Sequence, residues 1–408
     1  MAPNERPLIA LFNYGGGMRG LIPAHIMSRI EKTTGLRMAD MVDVFCGPST
    51  GSILNAALTL RHPDKPDRPK YRARHMVRFY EREGLNIFPA DRFREFRGLI
   101  HDFNNRMMKI GQLNAIFRQG HYNTANLSRS LNALYGDAKL ADSLRSLVIP
   151  AYNIDGEQLT VIEEAGETDE TPVHTMNNFT DSGGHALWMK NILFNTDMNT
   201  HKPPLNVTLY DAVMASAAAP TYFPCHHFKA SQPGIAAEHE YTAIDGSIFD
   251  NPCISYAGAL RQHLTPGQKL VMIGLGTGTV NRSVKKEAWN SYGSLGVVDP
   301  VNDLPLINIL FHASESALME SFAAEMSGHL YLFNKSLVKD REKDWPNTQL
   351  DDGSPENLKK LKNFAELIIE ENQALFDEVC HILATNRDRM EKEKPFLDKL
   401  KTKIFSSS

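Results

Sequence analysis

Residues 41–60 read MVDVFCGPSTGSILNAALTL, a short apolar run joined by small residues to a longer one. The run begins with β-branched and aromatic residues, which are typical of a short buried strand. From Thr50 onward, apolar side chains recur at a period near 3.6, which predicts a helix. Ser49 therefore lies at the turn between a strand and a helix, where Gly47 and Gly51 allow a sharp bend. This G-x-S-x-G pattern predicts a nucleophile elbow.

A serine at such a turn has two interpretations. At the N-terminus of a helix, the free N–H groups and the positive end of the dipole stabilise an alkoxide and the oxyanion that follows it. Because a serine hydroxyl is a weak nucleophile, this interpretation also requires a nearby base. The alternative is a serine that only caps the helix.

The bulk composition is that of a globular protein. The chain has 408 residues, of which 42% are hydrophobic and 23% charged, enough for one large core or two smaller ones. A net charge of −4 provides no strong basic field, so we expect no nucleic-acid partner. The four cysteines are far apart, and their spacing fits neither a disulfide framework nor a zinc site. We therefore expect no metal, no cofactor and a reducing compartment.

Membrane and targeting signals are not evident in the sequence. No apolar run reaches the length of about 18 residues that spans a bilayer. The start, MAPNERPLIALF, lacks a basic segment followed by an apolar one, so we expect no cleavable signal peptide. We expect a cytoplasmic protein.

Another strand, glycine loop and helix precede the elbow. Residues 7–12 form a continuous apolar run typical of a central parallel strand, and residues 21–31 form a helix with Pro23 in its first turn. The two loops should therefore lie at the same carboxyl edge of a parallel sheet.

The glycine loop, residues 13–20, reads NYGGGMRG and has two interpretations. Gly15, Gly17 and Gly20 satisfy the G-x-G-x-x-G dinucleotide pattern, with an aspartate roughly 20 residues later. This pattern alone is weak evidence, since a tight turn can also require these glycines.

The second interpretation is an oxyanion hole. Consecutive glycines free the N–H groups of Gly16, Gly17 and Met18 to point at a developing negative charge. Arg19 would then fix the loop or bind phosphate. A serine elbow one unit later favours this interpretation.

The rest of the chain alternates between predicted helices and strands. We expect strands at residues 147–154, 159–162, 241–244 and 271–274, and helices at 211–218, 304–331 and 358–383. The glycine turn that follows residue 274 lacks the P-loop lysine, so phosphate binding there is disfavoured. We predict a catalytic domain of residues 1–335 with a helical insertion at about 61–146. Residues 336–408 are predicted to form a linker and a C-terminal helical segment.

A serine nucleophile needs a base, and Asp245 is the best candidate. It ends a predicted strand and precedes Gly246, and a carboxylate in a partly dry site can accept the serine proton. The alternative is an ordinary Asp-Gly turn. None of the later histidines lies at a strand end of the kind that a classical triad requires: His263, His312, His329 and His381.

Four ordered blocks resemble the patatin-like phospholipase family. They are the glycine loop at residues 15–20, the elbow at 47–51, the Ala-Pro block SAAAPTYFP at 216–224 and the Asp-Gly motif at 245–247. Residues 76–80 and 275–279 are similar to the plant-patatin branch. The chain departs from the family in two places. Tyr14 stands where Asp is usual, and Ser247 stands where Gly or Ala is usual.

The resemblance implies a three-layer α/β/α fold with a mostly parallel central sheet and a lipid acyl hydrolase of the phospholipase A or lysophospholipase type, active without calcium. Ser49 would be the nucleophile and Asp245 the proton acceptor. The implied oxyanion loop comprises Gly15, Gly16, Gly17, Met18 and Arg19. The glycines that shape the motifs are Gly20, Gly47, Gly51 and Gly246.

The resemblance also bears on partners. We expect a phospholipid or lysophospholipid substrate at a membrane surface. Some family members are bacterial toxins that act inside a host cell and require a host protein such as ubiquitin, so an activating partner of this kind is implied by analogy. The rival to an enzyme is a catalytically silent interaction protein on a hydrolase fold.

Overall fold

A computed structural model describes the chain at residues 7–88, 122–155, 184–194, 203–220, 222–231, 238–280, 284–297, 305–326, 328–338 and 344–405. The strands within these residues, in chain order, are β1 (Leu8–Asn13), β2 (Val44–Cys46), β3 (Arg61–His62), β4 (Lys65–Pro69), β5 (Ser146–Asp155), β6 (His185–Asn191), β7 (His226–Ser231), β8 (Glu238–Asp245), β9 (Leu270–Leu275) and β10 (Leu330–Phe333).

The α-helices surround these strands. In chain order they are α1 (Leu21–Thr34), α2 (Met38–Met41), α3 (Thr50–Thr59), α4 (Ala73–Ile87), α5 (Thr124–Tyr135), α6 (Leu209–Ser216), α7 (Pro252–Ser255), α8 (Lys286–Gly296), α9 (Pro305–Glu325), α10 (Pro355–Glu371) and α11 (Gln373–Phe405). Local signals explain several boundaries. Gly35 ends α1 in the left-handed conformation, Asn123 caps α5, and Ser354 caps α10 with Pro355 at its first position.

The main sheet has the strand order β10-β9-β1-β2-β5-β8-β7, and β6 also pairs with β5. The pairs from β10 through β5 are parallel. The pairs that β5 makes with β6 and β8, and that β7 makes with β8, are antiparallel. β3 and β4 form a separate hairpin. The central sheet is therefore mostly parallel, as predicted.

Two hydrophobic clusters cover opposite faces of this sheet. Ile9 and Leu11 of β1 belong to the larger cluster, whereas Leu8, Ala10 and Phe12 belong to the smaller one. Because successive side chains of a strand point to opposite faces, both faces of β1 are buried. The larger cluster includes residues of α1, α3, α4, α10 and α11, and the smaller includes residues of α9. The predicted three-layer α/β/α architecture is confirmed.

The structure corrects several predicted elements. The strand before the elbow, predicted at residues 41–45, is Val44–Cys46, and Met41 instead ends the short helix Met38–Met41. The helix predicted to reach residue 331 ends at Glu325, and the chain then enters β10. The hairpin partner of β5 is β6, whereas the strand predicted at 159–162 lies outside the described residues. β6 and β7 were not predicted, because His and Lys interrupt their apolar alternation.

The C-terminal helices pack against α1 and α2. His25 Nε2 of α1 lies 2.7 Å from Glu366 Oε1 of α10, and Asn386 Nδ2 of α11 donates to Met41 O at 2.8 Å. No helix in the described part of the chain is both long enough and apolar enough to cross a membrane. The domain boundary at residue 335 stays a prediction.

Candidate active site

The loops after β1, β2 and β9 meet at one edge of the sheet. Phe12 pairs with Cys46 and Asn13 with Leu275, so the three strands end at the same level. β5 extends past the end of β2, and β8 pairs antiparallel with this extension. β8 therefore runs towards the edge from the opposite direction and ends there. The ends of four strands therefore converge at this edge.

The turn between β2 and α3 places Ser49 in an unusual backbone conformation, with φ 51° and ψ −125°. Ser49 is the only non-glycine residue with positive φ in the described part of the chain. Such a conformation costs of order 1–3 kcal/mol and persists only where its surroundings enforce it. A Cβ at Gly47 or at Gly51 would collide with the Asn13 carbonyl oxygen, so both glycines are required for the sharp bend.

Buried polar side chains fix this turn to the end of β1. Asn13 Nδ2 donates to Asn55 Oδ1 at 2.6 Å, and Asn55 Nδ2 donates to Cys46 O at 2.7 Å. Ser52 Oγ donates to Ser49 O at 2.6 Å. These bonds connect the two loops that the sequence placed side by side.

Asp245 is the last residue of β8 and is 3% exposed. Its N–H donates to Ala218 O at 3.0 Å. Its Oδ1 accepts two hydrogen bonds from Ser247, from the N–H at 2.7 Å and from Oγ at 2.6 Å. A Cβ at Gly246 would collide with Pro150 O, so the chain can turn here only with glycine.

The second carboxylate oxygen, Asp245 Oδ2, is buried and makes no hydrogen bond of standard geometry with the described residues. The Ser49 hydroxyl nevertheless lowers the pKa of this carboxyl, so the two groups are within interaction range. Long or poorly aligned contacts of this kind are common before substrate binds. The arrangement leaves Oδ2 free to accept a proton.

The pKa of Asp245 is raised to about 6, chiefly because burial disfavours the charged form. The Ser247 and Ser49 hydroxyls and the Ser247 N–H act in the opposite direction, since they donate to the carboxylate. A carboxyl with this pKa is mostly ionised at neutral pH yet basic enough to take a proton.

The glycine loop presents fewer N–H groups than its sequence suggests. The Met18 N–H donates to Leu350 O at 2.7 Å, so the prediction that it points at an oxyanion is wrong. Gly15 N lies 3.0 Å from both carboxylate oxygens of Asp250, and the Arg19 N–H donates to Gly16 O at 3.1 Å. The N–H groups of Gly16 and Gly17 have no acceptor among the described residues, and they remain the loop's available donors.

The Arg19 side chain lies between the glycine loop and the turn after β9 and is among the residues that line the cavity. Its Nη1 makes a long contact of 3.4 Å with Gly278 O, and its Nε has no partner among the described residues. Burial lowers its pKa to about 10, and the nearby Tyr222 and Asp250 act in the opposite direction. Arg19 therefore stays charged at neutral pH beside the cavity.

A cavity of about 490 Å³ borders all of these groups, a volume typical of a small-molecule site. Ser49, Asp245 and the glycine loop line its polar end. The remainder is largely apolar, with Ile53, Phe79, Tyr80, Ile87, Phe88, Leu127 and Phe223 among the lining residues. The volume and lining fit a substrate with a reactive group at one end of a hydrocarbon chain.

The later histidines whose side chains the structure describes do not line this cavity. His263, His329 and His381 are not among the residues that line it, and the His312 side chain lies outside the described residues. Four residues that the sequence did not mark individually do contribute to the site: Ser216, Asp250, Thr277 and Leu350. Ser216 and Thr277 belong to quoted motifs, whereas Leu350 lies in a segment predicted to be only a linker.

Known proteins resemble this chain along most of its length. The family model of the patatin-like phospholipases matches residues 14–257. Patatin-like protein 2 of Arabidopsis thaliana is 28% identical over 321 residues, which are 74% of this chain and 67% of that protein. Patatin-17 of Solanum cardiophyllum is 25% identical over 395 residues, 89% of this chain and 85% of that protein.

Among solved structures, VipD from Legionella pneumophila covers 89% of this chain and 67% of its own, with 9% sequence identity and a TM-score of 0.27. The family match spans the glycine loop, the elbow and the Asp-Gly motif, whose side chains and N–H groups meet in one cavity. The chain belongs to the patatin-like phospholipase family, whose members are lipid acyl hydrolases.

Proposed function

We propose that this protein is a calcium-independent lipid acyl hydrolase that cleaves fatty-acyl esters of phospholipids or lysophospholipids with a Ser49–Asp245 dyad. One observation carries the proposal. The strained Ser49 and the buried Asp245, whose Oδ2 has no described partner, line one largely apolar cavity. Family membership supports the general reaction, and this geometry supports the two named residues.

In the first step, Ser49 Oγ attacks the ester carbonyl carbon and Asp245 Oδ2 takes the hydroxyl proton. The tetrahedral intermediate collapses, the bond to the alcohol oxygen breaks, and the same proton passes from Asp245 to the leaving alcohol. The products are a lysolipid or glycerophospho-alcohol and an acyl group esterified to Ser49.

In the second step, water attacks the acyl-Ser49 ester while Asp245 takes a proton from the water. The bond to Ser49 Oγ then breaks, and the proton returns to that oxygen. The fatty acid leaves, and both side chains regain their starting states.

In both steps, negative charge develops on the former carbonyl oxygen. The N–H groups of Gly16 and Gly17 are suited to stabilise this charge, since they are the donors of the loop without a described acceptor. The N–H of Thr50 is a third candidate, because it is the first helical N–H after the nucleophile and has no acceptor among the described residues. The sequence-based set of donors did not include Thr50.

Two alternatives from the sequence remain to be tested against this proposal. A dinucleotide would use the loop N–H groups for pyrophosphate, but the Met18 N–H is bound to Leu350 O and the adjoining cavity is largely apolar. A silent interaction protein would have no need of the Ser49 strain or of a buried carboxylate with a raised pKa.

The test measures fatty-acid release from vesicles of phosphatidylcholine and lysophosphatidylcholine, with and without EDTA. We expect activity that EDTA does not abolish and covalent labelling of Ser49 by a fluorophosphonate. Ser49→Ala and Asp245→Asn should each lower kcat by about 10³-fold or more. Ser255→Ala, at a buried serine outside the cavity lining, is the matched control and should retain activity.

Two further measurements test the proposed membrane binding and the proposed activating partner. Vesicle co-sedimentation tests peripheral membrane binding, and purified ubiquitin added to the reaction tests activation by a host protein. A folded chain that neither releases fatty acid nor labels at Ser49, with or without ubiquitin, would contradict the proposed function and favour the silent interaction protein.

A further inference from the structure

The turn after β9 packs directly against the glycine loop. Thr277 Oγ1 donates to Gly15 O at 2.5 Å, and Thr277 is 4% exposed. The turn itself is held by the end of β10, since Gly278 N donates to Asn334 Oδ1 at 3.0 Å and Thr279 N donates to Lys335 O at 3.0 Å. Thr277 is therefore held in a fixed position, and its hydroxyl holds the glycine loop by this hydrogen bond.

The bond to Gly15 O determines where the next N–H points. In a planar trans peptide, the C=O of one residue and the N–H of the next point in opposite directions. With the Gly15 carbonyl directed at Thr277, the Gly16 N–H is directed away from Thr277. The loop residues line the cavity and Thr277 is not among the lining residues, so the cavity lies on the side of the peptide to which this N–H can point.

This peptide lies between two glycines and needs such a constraint. Gly16 has φ 154° and Gly17 has φ 55°, conformations that glycine reaches and leaves easily. A Cβ on Gly16 would collide with the Thr277 side chain, which shows how closely the two segments pack. The following peptide is held locally in the same manner, since its Gly16 carbonyl accepts the Arg19 N–H at 3.1 Å.

We propose that Thr277 is a positioning residue for the oxyanion hole: its hydroxyl locks the Gly15–Gly16 peptide so that the Gly16 N–H meets the oxygen that becomes negative when Ser49 attacks. This inference rests on the proposed acyl hydrolase function. It gives a role to the Leu-Gly-Thr-Gly-Thr motif, for which phosphate binding was disfavoured. Thr277 itself touches neither the substrate nor Ser49 in this arrangement.

The physical effect is confined to the transition state. A donor that is held in place beforehand loses no reorganisation energy during the reaction, and removal of one such donor lowers kcat by about 10²–10³-fold. Loss of the Thr277 hydroxyl leaves the donor present but free to rotate, so the expected loss in kcat is about 10–100-fold. KM should change little, because ground-state binding in the apolar cavity does not use this N–H.

The experiment compares Thr277→Val, which keeps the branched shape, with Thr277→Ser, which keeps the hydroxyl. Thr279→Val is the matched control, because the hydrogen bonds that Thr279 makes with the described residues come from its backbone. kcat and KM are measured with p-nitrophenyl butyrate, and thermal unfolding is recorded for each variant. We expect a lower kcat for Thr277→Val, near wild-type kcat for the other two variants and a KM within about twofold throughout.

Two results would overturn the inference. One is a folded Thr277→Val variant with wild-type kcat. The other is an equal loss of kcat in the Val and Ser variants, which would indicate a packing role. Failure of the proposed function is distinguishable, because the wild-type chain would then neither hydrolyse the ester nor label at Ser49.

Discussion

Ser216 holds the Ser49 amide with two oxygens at once: its carbonyl oxygen lies 3.1 Å and its hydroxyl oxygen 3.0 Å from Ser49 N. The same hydroxyl donates to Pro150 O at 2.5 Å. One serine, 167 residues away in sequence, therefore connects the nucleophile turn to β5, the strand that pairs with the strand of Asp245.

We expect Ser216→Ala to lower kcat by about tenfold, because the strained Ser49 backbone loses an acceptor and Pro150 O loses its donor. The free energy of unfolding should fall by about 1–3 kcal/mol, the effect of leaving buried polar groups unsatisfied. Both are measured by ester hydrolysis and urea denaturation. Ser255→Ala is the control: its buried Oγ has no partner among the described residues, so the change should be nearly neutral. Equal effects at the two positions would contradict the role of Ser216.

The pH dependence of activity should follow the pKa of Asp245, which burial raises to about 6. The base must be ionised, so kcat/KM should rise with pH through about 6 and then level off. Ser247→Ala removes the hydroxyl that stabilises the charged form, so this limb should move up by about one pH unit. The pH profile of kcat/KM with a soluble ester measures the shift.

Other charged groups border this cavity, and the control must distinguish their effect on the pH profile from that of the Ser247 hydroxyl. Arg19 and Asp250 line it and are unchanged in Ser247→Ala. Ser291→Ala, at an exposed serine on α8, should leave the pH profile unaltered. A limb that stays at the wild-type pH in Ser247→Ala would exclude the tuning role of this hydroxyl.

The same raised pKa makes Asp245 destabilising to the fold at neutral pH. The folded state holds its proton up to about pH 6, whereas the unfolded state releases it near 3.8, so stability falls as pH rises between these values. Asp245→Asn cannot ionise and should raise the free energy of unfolding at pH 7.5 by about 2–3 kcal/mol.

Chemical denaturation at pH 4 and pH 7.5 tests this effect. The gain should be present at pH 7.5 and largely absent at pH 4, where the wild-type carboxyl is protonated. Asn at the exposed Asp137 serves as the comparison and should show no such difference. A variant that is less stable than wild type at pH 7.5 would indicate that Asp245 is not desolvated.

The parts of the site that could be predicted are those whose sequence signal lies in the same short segment as the residue itself. Ser49, Asp245 and the glycine loop were found because turn residues and apolar runs adjoin them, and the strand ends bring them to one edge. Met18 was misjudged because its N–H partner, Leu350, lies in a polar segment without periodicity. No pattern in the chain indicates which carbonyl oxygen reaches a given N–H.

The strands of the sheet likewise divide into those with a local sequence signal and those without one. β1, β2 and β9 are buried on both faces and read as continuous apolar runs, which identified them. β7 is half exposed, and β6 contains a histidine and a lysine, so neither has an apolar run to detect. β6 is positioned by its pairing with β5, and β7 by its pairing with β8. Such pairing between distant segments cannot be predicted from a short stretch of sequence.

Acyl-chain preference should depend on Leu127. This residue lines the 490 Å³ cavity and also a second cavity of about 200 Å³, so it forms part of the wall between them. Leu127→Ala should open the wall and shift the preference towards longer acyl chains. Leu127→Phe should shift it towards shorter ones. kcat/KM for a series of p-nitrophenyl esters measures the preference.

The control for this series is Leu131→Ala, one turn further along α5. Leu131 is fully buried but lines neither cavity, so its loss should lower stability by about 2–5 kcal/mol without changing the preferred chain length. An unchanged preference in both Leu127 variants would place the acyl chain elsewhere.

Gly51 packs tightly against the end of β1, so a substitution there distinguishes the effect of steric fit from that of helix propensity. In an ordinary helix, Gly→Ala stabilises by up to about 1 kcal/mol. At Gly51 the new Cβ would meet the Asn13 carbonyl, a backbone atom that cannot move aside without displacing β1. At Gly84 in α4, the new Cβ would meet the end of the flexible Met18 side chain, which can rotate away. We therefore expect Gly51→Ala to lower the free energy of unfolding by more than about 2 kcal/mol and Gly84→Ala to be nearly neutral in urea denaturation. Equal stability of the two variants would show that the close approach of Gly51 to the Asn13 carbonyl does not require glycine at residue 51.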